Sequence, residues 1–175
     1  MPAATQPARL NAPTGYSMTC PDNSRGYFAI GAERMSKSLN LGNLMRSAHA
    51  FGAAFTFTIG ASYSALEAIA DTSRGSQHLP HYDWKDVDHL ALPRGCKLVG
   101  VELLDEAIEL PRFLHPRQAA YVLGPEKGSL SPELLARCDM AVKIPTRFCV
   151  NVAMAGAIVM YDRLLSRSSR PRLPG

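Results

Sequence analysis

Tyr121-Val-Leu-Gly-Pro-Glu-Lys-Gly-Ser-Leu-Ser-Pro-Glu133, then Cys138-Asp-Met-Ala-Val-Lys-Ile-Pro145, then Val150-Asn-Val-Ala-Met-Ala-Gly-Ala-Ile-Val-Met-Tyr161 is the stretch that decides the fold. An apolar strand runs into a glycine-proline-acid turn. A second short strand ends at Ile144-Pro145, and a long helix begins near Asn151 that is apolar on nearly every face. A helix of that kind has to be buried. Two strand ends and a helix start close together in sequence can enclose a small molecule.

Working towards the amino terminus, Lys97–Leu103 is a strand of buried type, Lys-Leu-Val-Gly-Val-Glu-Leu. Leu104–Leu110 reads as a mixed turn or helix, and Pro111 and Pro116 fall in a loop. Tyr27–Ala32 and Ala54–Ile59 are two further strands. Between them, Leu41, Leu44, Met45, Ala48 and Phe51 recur at helical spacing, with Gly52 as a stop. Strand, helix and strand in this length form a βαβ unit, so the sheet is expected to be parallel. Ser64–Ala70 reads as a short helix, and a short strand is expected near Leu79–Tyr82 in the polar segment Asp71–Asp88. Ser131-Pro132-Glu133 starts a helix, with a serine cap, proline in the first turn and an acid beside them. The expected architecture is α/β, a mostly parallel sheet flanked by helices, in one domain over 25–166. An N-terminal arm, 1–24, and a disordered tail, 167–175, flank it.

The totals agree. A chain of 175 residues can bury a sizeable core without disulfides. A net charge of +4 and a pI of about 9.0 favour an anionic partner such as nucleic acid. Cys20, Cys96, Cys138 and Cys149 form no C-x-x-C pair, and no histidine stands at zinc-finger spacing. They read as free thiols of a reducing cytoplasm, with no metal. No apolar run reaches membrane-spanning length and the first residues lack a signal-peptide pattern, so a cytoplasmic protein away from membranes is expected.

Several motifs have to be weighed against plain readings. Arg34-Met-Ser-Lys-Ser-Leu39 resembles the lysine loop of class I aminoacyl-tRNA synthetases, but their His-x-Gly-His element is missing, which leaves a solvated or RNA-facing loop. His78-Leu-Pro-His81 reads as a surface turn, because Pro80 blocks a helix and two ligands do not hold a metal. There is no Walker sequence and no Gly-x-Gly-x-x-Gly. Gly124-Pro-Glu-Lys-Gly128 is either a plain turn or a place where backbone approaches a ligand. Arg46 alone is a surface charge.

Taken together, three segments resemble the TrmH (SpoU) branch of the SPOUT superfamily of RNA methyltransferases. They are Asn40-Leu-Gly-Asn43-Leu-Met-Arg46; Leu123-Gly-Pro-Glu-Lys-Gly128; and Ile144-Pro145 followed by Val150-Asn151-Val-Ala. Each is weak alone, and their order and separations make the resemblance, which covers Tyr27 to Leu165. The chain departs from the family in two places. Cys149-Val150-Asn151 stands where Ser-Leu-Asn is usual, and the loop after Pro145 is shorter than in many members.

The resemblance implies a SPOUT fold with a C-terminal trefoil knot, which general rules of connectivity would not anticipate. It implies S-adenosylmethionine (S-adenosyl-L-methionine) as cofactor, held by Leu123, Gly124, Glu126, Gly128, Ile144, Pro145, Cys149, Val150 and Asn151, with Glu102 and Leu103 as a third wall. The implied reaction moves the sulfonium methyl to a ribose 2′-hydroxyl of tRNA or rRNA. Arg46 would orient the ribose and phosphate, with Asn40, Glu126 and Asn151 holding Arg46 and the loops, and Glu126 pairing with Arg46. It also implies a homodimer, with the apolar closing helix as its face and RNA gripped by Arg25, Arg34, Lys37, Arg112 and Arg117. A non-catalytic RNA-binding or cofactor-binding protein on the same fold, favoured by Cys149 alone, is the alternative.

Overall fold

A computed structural model describes residues 26–62 and 79–167 of the chain. The expected helix at Ser64–Ala70, the arm 1–24 and all of the tail but Arg167 lie outside those residues, and Arg167 itself is the last residue of a helix.

Seven strands form one sheet: β1 (Tyr27–Glu33), β2 (Phe55–Ile59), β3 (His81–Trp84), β4 (Lys97–Val101), β5 (Ile108–Glu109), β6 (Gln118–Leu123) and β7 (Met140–Lys143). Their order is β3-β2-β1-β6-β4-β7-β5, and every pairing among them is parallel. The central strands are apolar without a break because both faces are covered. Along β1, Phe28, Ile30 and Ala32 turn to one side and Ala29 to the other. Along β6, Tyr121 and Leu123 oppose Ala120 and Val122 in the same way.

The first face carries α1 (Ser38–Ala50) and α3 (Val152–Arg167). They meet where Gly156 lies against Leu44, and a β-carbon at Gly156 would come within 2.4 Å of Leu44 Cδ1. The second face is closed by Leu90, Leu130 and Leu134, the last on the short helix α2 (Pro132–Arg137). Ser131 caps α2 as expected, its hydroxyl accepting from the Leu134 amide.

Element by element, the structure moves some expected boundaries. The helix expected over Asn40–Gly52 begins at Ser38, because the Lys37 carbonyl already accepts from Asn40 and Leu41. Gly52 stands just past its end with φ +74°. The strand expected to reach Leu103 stops at Val101, since the Glu102 carboxylate folds back on the Leu103 amide. Leu104–Leu110 is no helix; it holds a turn and β5, and a 3-10 turn follows over Leu110–Arg112. His81 does not lie on a surface turn. It opens β3, its side chain is 8% exposed, and its ring bonds to Thr56 Oγ1 and Asp83. His78 lies outside the described residues.

Candidate active site

In a parallel sheet the carboxyl ends of the strands form one rim, and loops leaving it can meet over a ligand. Here β4, β6 and β7 end side by side, and a cavity of about 380 Å³ opens between the chain segments that follow them. Glu102 and Leu103 line it after β4. Leu123, Gly124, Glu126 and Gly128 line it after β6, and Ile144, Cys149, Val150 and Asn151 after β7. Asn40 reaches in from the first turn of α1. The sequence-predicted wall is thus assembled in one place, with one exception. Pro145 is exposed and does not line the cavity. The Thr146 amide donates to the Ile144 carbonyl at 2.8 Å, a tight turn centred on Pro145 that leaves its ring outside while Ile144 and Thr146 line the cavity.

Glu126 organises the polar side of the cavity. Its Oε1 accepts from the Asn40 amide Nδ2 at 2.9 Å and from the Lys37 backbone N–H at 3.1 Å. Its Oε2 accepts from the backbone N–H and the hydroxyl of Ser36, both at 3.0 Å. Partial burial works against the charge, but the hydrogen bonds from Asn40 and Ser36 outweigh it and hold the Glu126 carboxyl below its ordinary range. The carboxylate can only accept, which forces Asn40 to present its NH₂. The Asn40 oxygen then accepts from Asn151 Nδ2 at 3.0 Å, and the Asn151 oxygen accepts from the Ala153 amide at 2.9 Å, capping α3. One carboxylate therefore orients both asparagines and the start of the last helix.

The Arg34–Leu39 segment is exposed at Arg34, Ser36, Lys37 and Leu39, as a solvated loop would be, but it is also anchored from within. Met35 is fully buried, and Ser36 and Lys37 form the seat of Glu126. Nothing in the residue types betrayed this, since a polar loop that binds a carboxylate reads like one that binds water. The same rim is tied down by two further acids. Glu33, buried at the end of β1, accepts from the Ser131 amide at 2.7 Å, and Glu102 accepts from the Leu130 amide at 2.9 Å. Arg34, at φ +48°, donates to the Ser129 carbonyl. Gly124 is closely packed where it stands: a β-carbon there would meet Glu102 Oε2 at 3.2 Å and the Leu130 nitrogen at 3.3 Å, so a neighbour would have to shift.

Arg46 is the residue that the structure sets apart. It is exposed on α1 and does not line the cavity. Six residues separate it from Asn40, about one and two-thirds helical turns, so the two face different directions. Asn40, Glu126 and Asn151 bond to one another and to the Ser36–Lys37 backbone instead of pairing with Arg46. The basic candidates are likewise spread out. Lys37 lines the cavity, Arg34 is engaged with the loop after β6, and Arg117 is exposed at the opposite, amino-terminal end of β6. Arg25 lies outside the described residues.

Sequence reasoning passed over a second polar cluster entirely. At the amino ends of β1 and β6, Arg163 of α3 is 4% exposed. It donates to the carbonyls of Tyr27, Pro116 and Arg117 and to the Tyr121 hydroxyl. With its oxygen accepting from Arg163, Tyr121 donates to His115 Nδ1 at 2.5 Å, which leaves His115 Nε2–H to donate to Asp162 at 2.9 Å. Burial pushes the Tyr121 hydroxyl up to about 12, against the pull of Arg163. The only signal in the sequence was a histidine, a tyrosine and two charges on an otherwise apolar framework.

The comparisons with known proteins match the geometry. The mouse tRNA (guanosine(18)-2'-O)-methyltransferase TARBP1 is 25% identical over 147 residues, 76% of this chain but 9% of that protein. The tRNA (guanosine(18)-2'-O)-methyltransferase of Escherichia coli K12 is 26% identical over 167 residues, 90% of this chain and 72% of that one. The SpoU methyltransferase AviRb from Streptomyces viridochromogenes, solved with AdoMet, superposes with a TM-score of 0.73 at 21% identity, over 83% of this chain and 59% of its own. The chain thus spans a small part of the first relative and about three-fifths of the solved structure. The model of the SpoU rRNA Methylase family matches residues 27–161, the whole sheet and most of α3, and the chain belongs to that family.

Proposed function

We propose that the chain is an S-adenosylmethionine-dependent RNA 2′-O-ribose methyltransferase that works as a homodimer. The observation that carries this reading is the bonded set Asn40–Glu126–Asn151, which unites the three family motifs on one side of a cavity at the strand ends. The cavity suits the cofactor. Leu103, Leu123, Ile144 and Val150 offer apolar walls for a flat base, while Lys37, Glu102 and backbone amides offer partners for the polar groups. When bound, S-adenosylmethionine supplies an activated methyl group, so the protein has to align it with the acceptor and manage one proton.

Within the chain, Glu126 holds the Lys37 and Asn40 side of the cavity against the start of α3 and so fixes the width of the mouth. Guanidinium groups keep their proton at neutral pH, so Arg46 orients the ribose and its phosphate, and the RNA phosphate assists removal of the hydroxyl proton.

Its position outside the cavity supports a dimer. α3 exposes Met154 (58%), Tyr161 (53%), Leu164 and Leu165 at helical spacing, and the neighbouring face of α1 exposes Leu39 and Arg46. Pairing through this layer buries the apolar stripe, and the partner's Arg46 then serves the cavity of the first subunit. The trefoil knot belongs to the same proposal; the resemblance of the fold to AviRb supports it. A cytoplasmic location is proposed too, in keeping with free thiols at Cys96, Cys138 and Cys149. tRNA is the proposed substrate class, because the E. coli relative, covered over most of its length, carries that name.

Incubation with methyl-labelled cofactor and total RNA tests the reading. Label in the ribose of tRNA, lost in Arg46→Ala, is the expected result. Label confined to rRNA would change the substrate, and cofactor binding without transfer to any RNA would favour the non-catalytic alternative.

A further inference from the structure

The loop from Pro145 to Cys149 divides its residues between two environments. Thr146 and Cys149 line the cavity, while Arg147 and Phe148, between them in the chain, are exposed and do not line it. Phe148 is 83% exposed. The loop holds it there by design: the Thr146 amide donates to the Ile144 carbonyl at 2.8 Å, and the Thr146 hydroxyl donates to the Phe148 carbonyl at 2.8 Å. These bonds fold 144–148 into a tight turn, and the phenyl ring stays outside it, forgoing the free energy of burial.

We propose that Phe148 and Arg147 form a step that receives the target nucleotide, Phe148 stacking on its base and Arg147 meeting a neighbouring phosphate. The inference rests on the methyltransferase reading of the cavity and deepens it. A ribose whose 2′-hydroxyl enters the mouth carries its base on the adjacent ring carbon, so the base lies at the rim, where Phe148 stands. Aromatic rings receive bases that have left the helical stack, and a cation beside them holds the backbone. Lys37 on the other side of the mouth adds a second positive charge. The substrate class that fits this step is an unpaired nucleotide in a loop or bulge, not one within a duplex.

The test compares the dimeric parent chain with Phe148→Ala, Phe148→Trp and Arg147→Ala, using the RNA that the parent labels. Phe148→Ala is expected to raise the KM for RNA about tenfold, within the range for loss of one base–aromatic stack. The KM for the cofactor and the subunit mass should stay unchanged. Phe148→Trp should restore the KM, and its fluorescence should be quenched by RNA. Arg147→Ala should lower the salt slope of RNA binding by about one. Annealing a complementary strand over the target should abolish transfer.

An unchanged KM in Phe148→Ala overturns the step while leaving the methyltransferase reading intact. A monomeric mass or a weakened cofactor KM overturns it in favour of a subunit contact or a cofactor contact. If the parent labels no RNA at all, the methyltransferase reading falls and the step with it.

Discussion

The two ends of β6 carry bonded polar clusters that differ in composition and in what they leave open. At the amino end, Arg163, Tyr121, His115 and Asp162 form a chain of bonds closed on itself and on three backbone carbonyls. At the carboxyl end, Glu126, Asn40 and Asn151 form a similar chain along one side of a cavity. Helix α3 joins both, capped by Asn151 at one end and pinned by Arg163 at the other. A closed cluster can contribute only stability and position. An open one spends part of its bonding on the fold and keeps its remaining surface for a ligand. Substitutions at the first should therefore lower stability with no change in chemistry per folded molecule, and those at the second should do the reverse.

The largest effect belongs to the closed end. Arg163→Ala takes a donor from the carbonyls of Tyr27, Pro116 and Arg117, the last of which keeps the Tyr27 amide, and also removes a cation over the Phe28 ring at 5.3 Å. Each hydrogen bond from a charged group is worth about 1.5–3 kcal/mol, and losing several together lowers the Tm of a domain of this size by about 10 °C. Calorimetry should show that fall, while cofactor affinity at a permissive temperature stays within about twofold of the parent, a difference under 0.5 kcal/mol. A specific loss of cofactor affinity would erase the distinction between the two ends.

Next comes Glu126→Gln. The amide keeps the shape but has a single acceptor oxygen for bonds that now reach both carboxylate oxygens, and it directs NH₂ towards the Ser36 or Asn40 donors. Methyl transfer should fall about a hundredfold, or about 2.7 kcal/mol, while the Tm falls by only about 3 °C.

The same variant tests a dependence on pH. The Glu126 carboxyl titrates below its ordinary 4.5 when folded. Its contribution to stability is therefore fully present above that value and is lost as pH falls through the lower folded one. Parent and variant should converge in stability as pH falls below 4.5 and through the lower folded value. A gap that widened on acidification would show that Glu126 is not held as an anion.

These outcomes also mark how far the sequence could be read. Asn40, Glu126 and Asn151 were singled out only through the resemblance of their three segments to the family; on their own patterns these segments read as a helix start and plain turns. Their bonding to one another was not visible, since it depends on how three loops from distant parts of the chain meet. Arg46 shared a motif with Asn40, and helix geometry then turned the two apart. Ser36 and Lys37 are solvent-facing as read, but their bonds to Glu126 were not visible, because a loop's polarity does not say what it binds. The closed cluster was out of reach for a related reason. His115, Tyr121 and Asp162 have no common period, and only the parallel pairing of β1 with β6 brings Tyr27 and Arg117 to the same guanidinium. The sheet itself was easy to read, because strands buried on both faces are apolar throughout.

The finest comparison changes one heavy atom at each end. Tyr121→Phe deletes the oxygen between Arg163 and His115, leaving a buried donor and a buried acceptor without their shared partner. That should cost about 1–3 kcal/mol of stability, seen as a shift in the urea midpoint with an unchanged slope. Cys149→Ser replaces sulfur by oxygen on an exposed residue of the cavity wall. Water reaches that position, so neither atom is stranded, and the expected change is below about 0.5 kcal/mol in stability. The kcat/KM should also stay within about twofold, since a thiol and a hydroxyl share the same donor and acceptor roles and differ in strength. A tenfold gain in transfer would mean that the thiol holds the cavity below its capacity, and a tenfold loss would mean that the sulfur itself contacts the bound cofactor. Either result would show that the open end is as exacting at Cys149 as the closed end is at Tyr121.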